Sequence, residues 1–169
     1  RTLPTRIDIS SSAGSSTNGA FENGVWYSNS AEVSIIKSSD LASQLASSSV
    51  VLEATGVATG TDDRVGSIRF LGEVVKSSGG DQTLTLKSSR HVLTDDGFGV
   101  RSTSGKLNVV MWTDTDDDSN GGVRLDGRAS GWLFDTNGGH FVVGGGSPST
   151  TWNELKIPSG YAAADADKG

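Results

Sequence analysis

The feature that most constrains this chain is a cassette: small polar residues, one or two glycines, then a short alternating strand. It occurs as KSSGGDQTLTL, RSTSGKLNVV, DSNGGVRL and DTNGGHFVV, marked by Gly80, Gly105, Gly122 and Gly139 at spacings of 25, 17 and 17 residues. Period-two alternation marks a strand with one buried face. The inward sets are Leu84 and Leu86, then Leu107, Val109 and Met111, then Val123 and Leu125, then Phe141 and Val143, with Ile68 and Phe70 in SIRFLG. Two or three inward residues cannot form a core alone. If each strand pairs with its counterpart one repeat away, about 4.8 Å along an axis, the small cores fuse into one column. Glycine and asparagine suit the corners because they tolerate positive φ.

These repeats, on the scale of a coil of roughly 20–25 residues, predict an all-β fold, a parallel β-helix (solenoid) with one short helix. The alternative is an antiparallel β-sandwich, which also strings short strands between turns. The helix is read in SSDLASQLASSS, with Ser39 or Asp40 as N-cap and Leu41 and Leu45 one turn apart. Composition agrees: 23 glycines and an apolar fraction of 34% suit many turns around a thin core. Trp112, Trp132 and Trp152 recur every 20 residues, a spacing that chance can give.

Net charge is −6, which disfavours nucleic acid, whose phosphates need a basic stripe, and anionic membrane surfaces. No apolar run has the length of a membrane span, so no membrane insertion is expected. Cysteine is absent, which excludes disulfides and thiol chemistry. No signal peptide is recognisable and residue 1 is Arg1, so the chain is expected to be a mature fragment or a piece cut from something larger; the absence of cysteine, together with acidity and high Ser, Thr and Gly content, leans towards an exported surface protein.

The segments GGDQTLTLKSSRHVL, STSGKLNVVMWTDTDDDSNGGVRLDG and FDTNGGHFVVGGG, with SDLASQLASSSVVLEATG upstream, resemble the repeat region of large bacterial exoproteins of the filamentous-haemagglutinin type, adhesins of two-partner secretion. The likeness covers residues 38–146; residues 1–37 form an N-terminal segment available to cap one end, and 147–169 a C-terminal segment. It implies a right-handed coil, an extracellular or cell-surface location, and a structural or adhesive role as stalk, surface or fibre. The implied partners are neighbouring modules, copies of the chain, or a host or neighbouring cell surface or glycan. The family's Asn-Pro secretion motif is missing. Trp112 and Val110 also depart from the pattern: they stand on the outward face, where small polar residues are usual, and are candidates for ligand or partner contact.

The acidic loop TDTDDDSNGGVRLDG holds the best chemical candidates. Asp116, Asp118, Asn120, Gly121 and Val123 follow positions 1, 3, 5, 6 and 8 of an EF-hand-type calcium loop, but Gly127 stands where the bidentate glutamate belongs. Asp114, Asp116, Asp118 and Asn120 are the candidate ligands for Ca²⁺, with Asp126 in reserve; the rival reading is a solvated acidic turn. No cofactor is required, and no residue is nominated as catalytic. A carbohydrate-binding or polysaccharide-cleaving β-protein (a lyase or hydrolase) is the competing function, since paired carboxylates, here Asp95 with Asp96 or Asp116 with Asp118, can hydrolyse glycosides, though such pairs in a Gly/Ser loop are commoner as turns. His91 and His140 sit at strand starts without a nucleophile motif and read as solvent-facing. Asp62 and Asp63 read as a plain turn. Trp26, Tyr27, Trp132 and Trp152 are further aromatic candidates for stacking on sugars, Trp132 more naturally as core beside Phe134.

Overall fold

The structure is a computed structural model that describes residues 1–30, 33–57, 64–94, 97–118, 120–125 and 133–145. Asp62, Asp63, Asp95, Asp96, Asp126, Trp132, Trp152 and the segment 147–169 lie outside the described residues. Among the described residues fourteen strands and one helix follow in chain order: β1 (Arg6–Ser10), β2 (Gly19–Glu22), β3 (Val25–Ser28), β4 (Val33–Lys37), α1 (Ser38–Ser47), β5 (Val50–Ala54), β6 (Ile68–Phe70), β7 (Val74–Lys76), β8 (Gln82–Ser88), β9 (His91–Leu93), β10 (Val100–Ser102), β11 (Leu107–Thr113), β12 (Gly122–Arg124), β13 (Phe134–Asp135) and β14 (Phe141–Gly145).

They form three sheets, ordered β12-β9-β6-β1-β4, β13-β10-β7 and β14-β11-β8-β5-β3-β2. The predicted β-helix is corrected by this order. A uniform coil adds one strand to each sheet per turn, in chain order. Here β1 is inserted between β4 and β6, the three-stranded sheet starts only at β7, and β2–β3 is an antiparallel hairpin. Among the described residues the fold is mostly β, three mostly parallel sheets with one helix, and no closed solenoid is seen. The sandwich alternative also fails, because β2–β3 is the one antiparallel strand pair among the described residues. The reason is physical: a cassette specifies a strand and the turn before it, but not the route to the next.

Local expectations fare differently. Leu84, Leu86, Leu107, Val109, Ile68 and Phe70 are fully buried and Met111 nearly so. The facing pairs Leu84↔Val109 and Leu86↔Met111 lie in register. Phe141 and Val143 continue those rows opposite Val109 and Met111. β14 ends its sheet, however, so Val143 is 48% exposed, and beyond β12 Leu125 is 42% exposed. The helix begins one residue before the predicted cap. β4 pairs with β1 through Lys37 and runs straight into α1, so Lys37 is the N-cap, extended and without a side-chain cap bond. Leu41 and Leu45 are fully buried, each contributing about 1.5–3 kcal/mol of transfer free energy.

Three of the four cassettes stack, and their hydrogen bonds link one turn to the next. Ser104 Oγ donates to Gly79 O (2.9 Å), Asn137 Nδ2 to Gly105 O (3.1 Å), and Lys106 N to Asp81 Oδ1 (2.8 Å). The fourth, at Gly122, opens β12 and pairs with β9 in another sheet. That explains the uneven repeat. Inside this stack Lys76 is fully buried, its Nζ donating to Ser78 O (3.0 Å), Gly79 O (3.2 Å) and Ser104 O. In the five-stranded sheet Asp8 accepts Arg69 Nε (2.9 Å) and Arg69 Nη2 (3.0 Å), and also Arg6 Nη2 (3.1 Å).

Candidate functional site

The site lies where β11 leaves its sheet. Asp114 and Asp117 adopt left-handed backbone (φ 55 and 56), which aspartate tolerates better than most residues. Asp117 N donates to Asp114 O (3.1 Å), closing a turn. The chain then returns past Arg90, whose carbonyl accepts from Gly122 N (3.1 Å). A Cβ at Gly121 would stand 2.5 Å from Arg90 O and from Asp114 N, so the return passes only as glycine.

This path brings one oxygen each of Asp114, Asp116 and Asp118 within 4.8 Å of one another, Asp114 half-buried and the other two exposed. Asn120, the fourth sequence candidate, instead pins Asp118. Its backbone N donates to Asp118 Oδ1 (2.8 Å) and its Nδ2 to Asp118 Oδ2 (3.2 Å). Those bonds, with the Arg90 charge adding to them, hold the Asp118 carboxyl below the ordinary aspartate range. Asp116 is shifted the other way, raised first by desolvation and then by the charges of Asp118 and Asp114. The charges of Asp118 and Asp114 that help to raise Asp116 are of the kind a hard cation offsets. Three carboxylates supply part of the six to eight oxygens calcium takes; backbone carbonyls and water must furnish the rest.

Beside the corner runs a groove of about 360 Å³ lined by Glu53, Thr55, Val57, Lys87, Ser89, Trp112, Thr115 and Asp116. The expectation of an exposed Trp112 is corrected. It stands on the outward side of β11 yet is only 7% exposed. Lys87, its partner in register, sits with Nζ 5.2 Å from the ring centroid and also reaches Glu53 Oε2 at 3.4 Å. Val110 is half-buried in the next row, between Thr85 and Val142. His91 and His140 are half-buried rather than solvent-facing, and Trp26 is core at 2% exposure.

Sequence reasoning missed the Glu53–Lys87–Trp112 row. Its trace is nonetheless in the chain: VLEA and LTLKS, aligned on Leu52 and Leu86, put Glu53 opposite Lys87. A second row runs along the same sheet, where Asn108 Nδ2 donates to Thr83 Oγ1 (3.2 Å) and Asn108 Oδ1 accepts from His140 N (2.9 Å).

No protein-family model matches the chain, and no curated protein and no solved structure is found similar to it. Among the described residues no helix is long and apolar enough to cross a membrane.

Proposed function

We propose that the chain is a structural, adhesive-type module of an extracellular or cell-surface protein of the filamentous-haemagglutinin type, and that its acidic corner takes up calcium. One observation carries the reading. The outward side of the largest sheet carries two rows of linked groups, the Thr83 and Asn108 side chains with the His140 backbone amide, and the side chains of Glu53, Lys87 and Trp112. Such rows tie strand to strand and stiffen a surface. Its contacts are then with neighbouring modules, other copies, or the surface and glycans of another cell.

Melting the protein in millimolar calcium and again in excess chelator tests the metal. A ligand bound only by the native state raises stability by mass action, so coincident curves would remove calcium from the proposal. The rigid-module reading is tested by hydrogen exchange. Slow, cooperative exchange across β5, β8 and β11 supports it, and fast exchange there overturns it. A sugar-cleaving reading draws on one feature, Asp116 with its raised carboxyl beside the Trp112 groove. New reducing ends from polysaccharide, lost in Asp116→Asn, would establish it instead.

A further inference from the structure

The strands that end the three sheets are not equally guarded. β2, β4, β7, β12 and β13 carry Glu22, Lys37, Lys76, Arg124 and Asp135, whereas β14 (FVVGG) has neither a charge nor a proline. Charge and proline are the usual guards against edge pairing. The edge of β4 is closed further. Thr17 N donates to Ile35 O (2.8 Å), Ile35 N to Thr17 O (3.2 Å), Asn18 Nδ2 to Val33 O (2.9 Å) and Lys37 N to Ser16 Oγ (2.9 Å). β7 lies against α1, and Glu22 of β2 is paired with Arg1.

β14 presents backbone groups that its own sheet does not use. Val109 stands opposite Phe141, and Val109 N donates to His140 O (2.8 Å). In a parallel ladder a residue bonds the two neighbours of its counterpart, so His140, Val142 and Gly144 face β11. The N–H and C=O of Phe141, Val143 and Gly145 point to the free side, where no further strand lies among the described residues.

The residues of this edge say which occupant fits. Turned end for end about Val143, FVVGG faces itself: Val143 meets Val143, and Phe141 meets Gly145. All three offer both groups, so each facing pair exchanges two hydrogen bonds, as in the bonded pairs of an antiparallel ladder. Phe141 and Val143 continue the inward rows of Val109 and Met111. The Phe141 ring then covers the second copy's Gly145, an aromatic-over-glycine pairing that supports edge strands. The two Val143 side chains, each 48% exposed, cover one another. No β14 charge opposes another across this contact, although each chain carries −6. The guarded strands at the opposite ends of the sheets leave like edges to meet, and like edges meeting give a two-fold dimer.

We propose that the chain forms a two-fold dimer by antiparallel pairing of β14 with β14 of a second copy. Among the partners of the proposed module this names a copy, and the surface that takes it. It rests on the edge itself and not on the adhesive reading, whose own test is exchange within β5, β8 and β11.

Sedimentation equilibrium of the full chain, over a concentration series reaching the millimolar range, tests the dimer. Hydrogen exchange at the Phe141, Val143 and Gly145 amides is read alongside. A reversible rise from one chain to two is expected, with protection of those amides that grows with concentration. Val143→Lys sets like charges face to face and should weaken association roughly tenfold. Gly145→Pro deletes a donor on the free side and leaves the β11 ladder whole; a roughly tenfold loss is expected there too. Both should melt like the parent in dilute solution, and Gly145→Pro decides if Val143→Lys does not fold. A single-chain mass at every concentration overturns the proposal. So does protection independent of concentration, which assigns the edge to residues 146–169 of the same chain. A dimer that neither substitution weakens, or growth beyond two chains, overturns it as well, by placing the contact elsewhere or making it head-to-tail.

Discussion

Two corners of this molecule face the same electrostatic problem and resolve it in opposite ways. In the stacked turns after β7 and β10, carbonyls of Ser78, Gly79 and Ser104 converge, and the chain supplies its own cation, the buried ammonium of Lys76. In the loop between β11 and β12, oxygens of three aspartates converge within 4.8 Å, and neighbouring groups offset them only in part: Asn120 and Arg90 favour ionised Asp118, while Asp116 is driven towards protonation. An internal cation makes a corner part of the fold. On the proposed calcium reading the second corner draws its cation from solution, and solution conditions then act on the fold there. The contrast teaches that stability should depend on sequence at the first corner and on the medium at the second.

The sharpest way to break the contrast is Lys76→Met, which keeps the stem and deletes the charge. Three carbonyls then lose a charged donor in a fully buried place. The expected loss is about 3 kcal/mol, a fall in melting temperature of roughly 6–12 °C for a domain of this size. The drop should be equal with calcium and with chelator. A drop that calcium reverses would mean that the two corners are not independent.

Next in size comes the metal itself. Calcium at about 100 times its dissociation constant should add about 2.7 kcal/mol, or roughly 5–10 °C. The gain should vanish in Asp114→Asn combined with Asp118→Asn, while Lys76→Met keeps it. Scanning calorimetry of the four combinations reads this directly.

How much of this was legible in the sequence follows from the range of the forces involved. Alternation is local, so Leu84, Leu86, Val109 and Met111 fell on the buried face as read, and the Leu41/Leu45 stripe marked the helix. The clustering of Asp114, Asp116 and Asp118 was legible for the same reason, since all three lie within one turn. Topology was not legible. The insertion of β1 between β4 and β6 joins residues 61 apart, Asp8 and Arg69, and nothing near either residue announces it. Lys76 was overlooked because a lysine at a strand end reads as solvated; only the stack of turns around it makes it interior. Trp112 misled in the opposite sense. Its place on the strand was right, but the covering side chain comes from Lys87, on the adjacent strand.

A smaller effect sharpens the account of the stacked turns. Gly79 has φ +81, and a Cβ there would stand 1.9 Å from Ala46 O at the end of α1, whereas a Cβ on Gly80 would meet nothing within 4 Å. Gly79→Ala should cost about 2 kcal/mol through left-handed backbone and helix displacement. Gly80→Ala should stay within about 0.5 kcal/mol of the parent. Equal effects on urea midpoints would show that the turn does not bear on the helix.

The smallest expected effect is the most discriminating, because its sign should reverse with calcium. Without metal the Asp116 carboxyl is raised above its ordinary range, so it holds its proton in the folded chain at pH values where the unfolded chain has released it. Through that window the folded state binds more protons, and stability falls as pH rises. Asp118, lowered by Asn120, acts oppositely: its contribution is present above the unfolded value and is lost as pH falls through the folded one. Asp116→Asn removes the unfavourable charge, so in chelator at neutral pH it should stabilise slightly, by no more than about 0.5 kcal/mol at so exposed a site. In calcium the same substitution deletes a ligand and should lower the melting temperature. Acid should mimic it in the parent protein, since protonating Asp116 competes with the metal; apparent calcium affinity should weaken as pH drops into the raised range of that carboxyl. A substitution that destabilises equally in chelator and in calcium would show that Asp116 serves the loop's own fold, and the corner would then belong with the self-sufficient turns at Lys76.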